Sequence, residues 1–208
     1  MPHQLISLLR YGRKRGRARP IRSAADTLRI MRAGGICDHL GYGFHRYSTD
    51  RQWLLPHFEK MLYDQALLCL AYTEAWATTG EEIFRRTAME IITYVLRDMT
   101  DPAGGFYTAE DADSEGEEGK FYLWTVKEIE SVLGKEEAAL FSEAYGLEEE
   151  GNFVEEATGR RTGENILHRL EAARATTGRE LPADHREERL AKAREKLFAV
   201  RSGRIRPT

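Results

Sequence analysis

The stretch from Gly43 to Asp64, GFHRYSTDRQWLLPHFEKMLYD, contains the residue types in this chain that are best suited to chemistry. Imidazole titrates near neutral pH, so a histidine beside a carboxylate can take up and release protons. His45 and His57 each lie within a few residues of an acidic side chain. No helical or strand period divides the stretch into a wet face and a dry face. The residue types therefore predict either a solvated loop or the lining of a site.

Aromatic side chains indicate that the stretch lines a site and is not a solvated loop. A solvated loop would expose four large rings to water, those of Phe44, Tyr47, Trp53 and Phe58. Exposed apolar area of that size is unusual on a monomer unless it binds something. A loop that packs inward and carries polar groups with it is a typical component of a binding site.

A metal site is a further alternative for the histidines of this region. His39, His45 and His57 are separated by six and twelve residues, whereas a helical metal pair has the spacing H-x-x-x-H. The two cysteines do not complete a ligand set in sequence. We therefore predict no metal ligands, and the sequence indicates no cofactor.

The acidic run at residues 110–120, EDADSEGEEGK, resembles a calcium loop only in part. Counted from Asp111, acids occupy the first, third and fifth positions and glycine the sixth. Tyr122 occupies the twelfth position, where the calcium loop needs a bidentate glutamate. We expect either a solvated loop or one in which Glu110, Asp111 or Asp113 faces the same mouth as the first stretch.

The composition is that of a globular protein. With 208 residues, 41% of them hydrophobic, the chain suits one domain or a large piece of one. A formal net charge of −3 gives no reason to expect nucleic acid, and no apolar run is long enough to span a membrane. The basic run at residues 10–22 has few aromatics and is expected to be an exposed turn. The first residues lack the order of a secretory signal, and Cys37 and Cys69 suit reduced thiols in a cytoplasm.

Hydrophobic periodicity predicts an all-α chain. The clearest stripe runs from Ile83 to Met99, and Glu59–Thr78 precedes it across a Thr-Gly turn, so the two form a helix hairpin. Strand evidence is limited to residues 106–107 and 121–124, which could pair as a short β-hairpin. The other predicted helical segments are Leu5–Leu9, Ile21–Met31, Thr125–Leu133 with a capping box at its start, Ala138–Tyr145, Glu164–Ala175 and Asp184–Val200.

A double glycine follows two of the predicted helices. Gly34-Gly35 and Gly104-Gly105 are 70 residues apart, and each pair precedes bulky residues and then acids. Paired glycines permit positive φ and close approach of backbones, which suits a helix end that turns into a loop. The recurrence predicts stacked helix hairpins that present the loops 34–58 and 100–124 on one face.

Two long phrases, GGICDHLGYGFHRYSTDRQWLLPHFEKMLYDQALL and RDMTDPAGGFYTAEDADSEGEEGKFYLWT, resemble the spermatogenesis-associated, thioredoxin-domain-containing family, whose bacterial members are the YyaL-type proteins. Milder likeness in LFSEAYGLEEEGNF, GENILHRL and EKLFAVRSGRIRP extends the resemblance over nearly the whole chain. The sequence departs from the family pattern at Cys37, where an aromatic residue or histidine is commoner. It also departs at Tyr42, which interrupts a glycine triplet and resists the positive φ that glycine tolerates.

The resemblance implies an α/α-toroid similar to N-acylglucosamine 2-epimerase and the six-hairpin glycosidases. Residues 1–208 would form a partial toroid of about three helix hairpins. The thioredoxin-like domain of the family is not expected in this chain and would be its partner in full-length relatives. The implied activity is epimerase-like proton transfer beside a sugar carbonyl, or glycosidase-like chemistry on carboxylates. A non-catalytic binding or scaffold module, or an inactive fragment, is the alternative, because fold does not fix function.

The epimerase-like mechanism implies a role for each candidate residue. His57 and His45 are the expected acid/base residues, and Glu59 with Arg46 would position a sugar or another small molecule. The further expected binding residues are Tyr47, Trp53, Asp38, His39, Asp64 and Asp111.

Overall fold

The computed structural model describes residues 2–155, 159–170 and 185–208. Within these residues the chain is mostly helical, as the sequence predicts, and its sheets are short and two-stranded. The end of one predicted helix, residues 171–175, and the first residue of another, Asp184, lie outside the described residues. The helices are α1 (Pro2–Arg15), α2 (Ala18–Ala33), α3 (Leu62–Thr79), α4 (Glu82–Asp98), α5 (Val126–Leu133), α6 (Lys135–Tyr145) and α7 (His185–Arg201).

The first four helices form one group around a shared apolar core. α3 packs against α1 and α4, and α1 packs against α2. Small buried residues such as Ala24, Ala71 and Ala75 let the helix backbones approach closely. The ring of Tyr72 is buried among them, and its hydroxyl donates to the Leu28 carbonyl oxygen at 2.9 Å, so the polar end of the ring is satisfied.

The last three helices pack around a second core with Trp124 and Leu40. The predicted capping box opens α5: the Thr125 hydroxyl oxygen accepts from the Glu128 amide, and the Glu128 carboxylate accepts from the Thr125 amide. This reciprocal pair satisfies two amides that the first turn of a helix leaves without partners. The prediction of a helix at Thr125–Leu133 is confirmed. No helix among residues 2–155, 159–170 and 185–208 is long and apolar enough to cross a membrane.

Short strands tie the loops of the two groups together. β3 (Lys60–Met61) pairs antiparallel with β4 (Ala109–Glu110), with Lys60 opposite Glu110. Because α2 and α4 end, and α3 begins, beside these strands, the loops that follow the two double glycines meet at one end of the helices. The other strands are β1 (Tyr47–Ser48) with β2 (Pro56–His57), β5 (Asp113–Ser114) with β6 (Glu117–Glu118), and β7 (Trp124–Thr125) with β8 (Glu164–Asn165).

Two local predictions are wrong. The segment predicted as a helix from Glu164 begins as strand β8, because its backbone pairs with β7, whose residues lie about forty positions earlier. The predicted pairing of residues 106–107 with 121–124 does not form. Phe106 instead bridges to Thr100, and the hairpin of this loop is β5–β6. At Glu164 a long-range backbone partner overrides local preference, whereas around the acidic run nearer partners form the bridge and the hairpin.

Glycine is required at the two double glycines for different physical reasons. Gly34 and Gly35 have no room for a side chain, since an added Cβ would lie 2.3 Å from the Trp53 carbonyl oxygen and 2.0 Å from the Leu54 carbonyl oxygen, respectively. Gly104 and Gly105 face open space but have φ of 100° and 91°. Close approach dictates the first pair, and positive φ dictates the second.

Candidate functional site

A buried carboxylate, Asp38, lies at the centre of the loop layer and binds two cations. The two terminal guanidinium nitrogens of Arg201 donate to its two oxygens at 2.8 Å, and the Lys60 ammonium is 2.8 Å from Oδ2. The amides of Leu40 and Gly41 donate to Oδ1 at 3.0 and 2.9 Å. We call Asp38, Lys60 and Arg201 the core ion cluster. Arg201 and Lys60 offset the cost of burial and hold the pKa of Asp38 well below its usual range.

The loop backbone is shaped to build this cluster. Tyr42 has φ of 69°, which is unusual for a residue other than glycine, and its carbonyl oxygen accepts from the Lys60 ammonium at 3.0 Å. A Cβ on Gly41 would lie 2.2 Å from an Arg201 nitrogen, so the close fit excludes side chains there. The strain that the sequence indicates at Tyr42 is therefore present in the fold, where it aims a carbonyl group at a buried cation.

A second carboxylate, Glu110, lies next to the core ion cluster. The hydroxyls of Tyr94 and Tyr122 donate to its two oxygens at 2.8 and 2.7 Å, and an Arg206 nitrogen is 3.3 Å away. Burial and the Glu110 charge raise the pKa of both tyrosines. The rings of the same tyrosines flank the Lys60 ammonium at 4.4 and 4.8 Å from their centroids.

Two small cavities adjoin these charges. One, lined by both carboxylates and by Arg206, has a volume of about 40 Å³, and the other, lined by His39 and His45, about 20 Å³. These volumes hold a few water molecules, whereas organic ligand sites typically occupy about 300–1,000 Å³. The charged centre thus acts as a rigid support for the loops.

His45 and His39 belong to this buried layer. The Nδ1 atom of His45 is 2.8 Å from the Phe58 carbonyl oxygen, and its ring packs edge-on against Tyr122. Burial, with Lys60 nearby, lowers the pKa of His45 to about 3. His39 has its Nε2 atom 3.0 Å from the Gly34 carbonyl oxygen, and burial lowers its pKa well below the usual value. Both imidazoles are therefore neutral at physiological pH.

His57 lies in a different environment, on a partly exposed surface. Its Nδ1 atom is 2.7 Å from a Glu118 oxygen, its Nε2 atom faces a Glu59 oxygen at 3.6 Å, and its ring lies against Tyr47. An Arg46 nitrogen binds the same Glu59 oxygen at 2.7 Å. We call these five residues the His57 cluster. The antiparallel pairing of Tyr47 with His57 in β1–β2 places the two rings side by side.

The structure thus divides the predicted site residues. It brings His57, Glu59, Arg46 and Tyr47 together, and it places the remaining candidates elsewhere. Asp38, His39 and His45 are in the buried layer, and none of the contacts of the described residues joins His45 to His57. The other three candidates are Trp53, which packs against the first core with φ of 67°, Asp64, in the first turn of α3 with its pKa raised by burial, and the exposed Asp111.

Sequence reasoning missed Lys60, Arg201 and Glu118, and it offered Glu110 only as an alternative. Arg201 is 163 residues from Asp38, so no local pattern connects them. Glu118 appears in the sequence as one of many acids in a solvated run. The double-glycine recurrence is the sequence signal that could have identified Glu118. It predicts that both loops lie on one face, which would place Glu118 near His57. Within the described ranges no group of three or more histidine, cysteine or acidic side chains is placed to hold a metal ion.

The fold and the site define a mostly helical chain whose loops hold a buried ion cluster and a partly exposed imidazole between carboxylates. No protein-family model matches it. The chain is similar to Spermatogenesis-associated protein 20 of Homo sapiens, with 45% identity over 204 residues, covering 88% of this chain and 26% of that protein. The protein of the same name from Mus musculus is 45% identical over 201 residues, covering 87% of this chain and 25% of its own length.

A more distant relative is an uncharacterized protein of Caenorhabditis elegans, 34% identical over 199 residues, which cover 87% of this chain and 27% of that protein. The chain therefore spans about a quarter of the length of the curated relatives it matches. These similarities confirm the expected resemblance to spermatogenesis-associated proteins.

Proposed function

We propose that this chain carries a carbohydrate-active site that moves protons on a sugar, with His57 as the acid/base residue. The proposal includes the expected architecture, in which the helix hairpins are part of an α/α-toroid and the loop layer is its mouth. The free thiols of Cys37 and Cys69 suit a reducing cytoplasm.

The single observation that carries the proposal is the setting of His57. A carboxylate that accepts from one ring nitrogen fixes the tautomer of an imidazole and leaves the other nitrogen for proton transfer. Here Glu118 holds Nδ1 at 2.7 Å, while Nε2 faces the partly exposed side of the cluster near Glu59. His45 is buried and bonded to a backbone carbonyl group, so we assign it to the support of the loop.

The reaction supported best is proton exchange at the carbon beside a sugar carbonyl. Nε2 of His57 takes the proton from that carbon, the electron pair of the C–H bond forms a C=C bond, and the π pair of the carbonyl group moves onto its oxygen to give an enediolate. Return of a proton to the carbon completes the exchange, and return to the opposite face inverts the carbon. Arg46 is placed to bind the developing oxygen charge and Tyr47 to stack on the sugar, as polar and apolar parts of one site.

The test is deuterium incorporation in D2O, followed by NMR for a panel of aldoses, ketoses and N-acetylhexosamines. We expect exchange at the carbon beside the carbonyl, and we expect His57→Gln to reduce its rate at least a hundredfold, within the usual range for an acid/base group. His185→Gln is the matched control, because the side chain of His185 is 99% exposed and distant in fold from the loops. The absence of exchange with every sugar, or exchange that survives His57→Gln, refutes the proposal.

A binding module is the second candidate, and the outer face of α4 favours it. Met89, Ile92 and Leu96 follow a helical spacing and are all exposed, which forms an apolar stripe. In longer relatives this stripe would contact another part of the protein, such as a thioredoxin-like domain. A pull-down with that domain tests it: Leu96→Lys would abolish capture and leave sugar exchange unchanged, whereas capture that persists in the variant would exclude this face.

A further inference from the structure

The loop end of the helices carries exposed aromatic rings around the His57 cluster. Tyr47, Tyr63 and Tyr107 are 51%, 49% and 47% exposed, and Phe106 is also exposed. They come from different segments: β1, the first turn of α3, and the loop after Gly104-Gly105. Since rings of this size are normally buried, several of them on one face indicate a surface that binds a ligand.

These rings are connected to the His57 cluster by direct contacts. Tyr47 lies against the His57 ring with centroids 5.2 Å apart. The Arg46 guanidinium donates to Glu59, and its hydrogen bonds with Glu59 and with the Tyr63 phenol raise the pKa of Arg46, so Tyr63 adjoins the cluster. The Leu62 amide donates to the Thr108 carbonyl oxygen at 2.9 Å, which brings the backbone next to Tyr107 beside the start of α3.

Tyr63 and Tyr107 are each held through the hydroxyl group. The Tyr107 hydroxyl donates to Asp101 Oδ2 at 2.6 Å, and the Tyr63 phenol is engaged by Arg46. A ring that is anchored through its hydroxyl loses little further freedom when a ligand covers its face. A sugar ring has an apolar face of C–H groups and a rim of hydroxyls, so it matches an anchored tyrosine ring surrounded by charged side chains.

The surroundings of His57 indicate the length of the ligand. The cavities of about 40 and 20 Å³ adjoin the core ion cluster and are lined by no residue of the His57 cluster, whereas the side chains of His57 and Arg46 are 27% and 42% exposed. A ligand at His57 must therefore lie on an open surface, where a single sugar unit touches few groups and binds weakly. Contacts with rings further along the surface would supply the missing affinity.

We infer that this face binds an oligosaccharide, with one unit at Tyr47 and His57 and further units on Tyr63 and Tyr107. The inference rests on the proposed function and specifies its substrate class as a glycan chain instead of a free monosaccharide. Each tyrosine stacked on a sugar unit is expected to improve affinity about three- to tenfold.

The test is the chain-length dependence of binding to this protein. The probes are maltose-, cellulose- and chitin-derived sugars of one, two, four and six units, titrated while the tyrosine ring signals are followed by NMR. We expect the dissociation constant to fall at least tenfold from one to four units in one series. Tyr107→Ala should weaken binding of the four-unit sugar about three- to tenfold, whereas Tyr107→Phe, which keeps the ring, should retain at least a third of the affinity.

Tyr11 provides the matched control. It is 53% exposed, but it lies near the α1–α2 turn, at the end of α2 opposite the loops, so Tyr11→Ala should change nothing. Equal affinity at all lengths, or equal effects of Tyr11→Ala and Tyr107→Ala, overturns the inference while deuterium exchange can still support the proposed function. No binding in any series overturns the inference. Capture of a thioredoxin-like domain that Tyr107→Ala abolishes, without sugar binding, would make this face a protein interface and also overturn it.

Discussion

Replacing Asp38 with asparagine is expected to be among the most destabilising single changes in the loop layer. The carboxylate accepts five hydrogen bonds: two from Arg201, one from Lys60 and two from backbone amides. The side chains of all three charged residues are at least 96% buried. Asparagine keeps one acceptor oxygen but directs an N–H group at the two cations, which are then left buried without a counter-charge.

The magnitude follows from the bonds that are lost. Three hydrogen bonds with charged donors are each worth about 1.5–3 kcal/mol, but they are not additive because the cations relax towards solvent. Removal of one partner from a buried ion pair typically costs about 3–5 kcal/mol, and we expect Asp38→Asn to cost that amount. Arg201→Met should cost less, because it leaves Asp38 paired with Lys60. With a total stability of about 5–15 kcal/mol for a folded domain, the asparagine variant would be folded but marginal.

The assay is urea unfolding at pH 7, monitored by far-ultraviolet circular dichroism. The free energies of unfolding are compared with the same slope against urea concentration for all variants. Asp26→Asn is the control, since Asp26 pairs with Arg29 on the surface and is half exposed, so its loss should cost less than about 1 kcal/mol. A cost below about 1 kcal/mol for Asp38→Asn, or a larger cost for Arg201→Met than for Asp38→Asn, would refute the reasoning that the Asp38 carboxylate stabilises two buried cations.

Three further predictions concern other parts of the loop layer. The pKa of His45 is lowered to about 3 by burial, so between about pH 6.5 and pH 3 only the unfolded chain is protonated there. Its contribution to the free energy of unfolding is complete above about pH 6.5 and decreases by about 1.4 kcal/mol per pH unit on acidification. His45→Asn should remove this slope, which is measured by urea unfolding at several pH values. Gly43→Ala should cost about 3 kcal/mol, since a Cβ would lie 2.5 Å from a tyrosine ring, whereas Gly80→Ala, with the same φ of 75° but open space, should cost about 1 kcal/mol in thermal or urea unfolding. Glu118→Ala should shift His57 about tenfold towards the tautomer protonated at Nε2, as read from its ¹⁵N chemical shifts, because the acceptor of the Nδ1 proton is lost.

Each of these predictions has a contrary outcome. An unchanged pH slope in His45→Asn would place that histidine in contact with solvent in the folded chain. Equal costs for the two glycine variants would show that the cost of a side chain at Gly43 comes from φ alone and not from the packed tyrosine ring. Glu117→Ala is the control for Glu118→Ala, because Glu117 is the preceding residue on the same strand and is exposed. Equal tautomer shifts in both variants would mean that general charge, and not the direct contact, orients His57.

The sequence predicts the helices well because the signals that form them are local. The apolar stripe at Ile83–Met99 and the capping box at Thr125 involve residues three to four positions apart, and helix α4 and helix α5 form where these signals lie. A strand partner can be distant in sequence, so the helix expected from Glu164 begins as β8, which pairs with β7. Around the acidic run the expected pairing of residues 106–107 with 121–124 is replaced by a local hairpin, β5–β6.

The candidate site divides in the same way. The stretch Gly43–Asp64 is dense enough in histidine, carboxylate and aromatic groups for its sequence to identify it as the region of interest, and His57, Glu59, Arg46 and Tyr47 do converge. Sequence alone does not separate His57 from His45, since both are imidazoles near acids. Only the tertiary structure buries one beneath Tyr122 and exposes the other beside Glu118.

By itself, then, the sequence determines the helical architecture and the chemical groups that are available, since both follow from residue type and short-range spacing. The tertiary structure decides which of these groups are buried and support the loops, and which remain accessible for chemistry. That choice depends on contacts such as Asp38 with Arg201, 163 residues apart. Burial removes both charges from water at a cost, and that cost is offset only by a partner that no local pattern encodes.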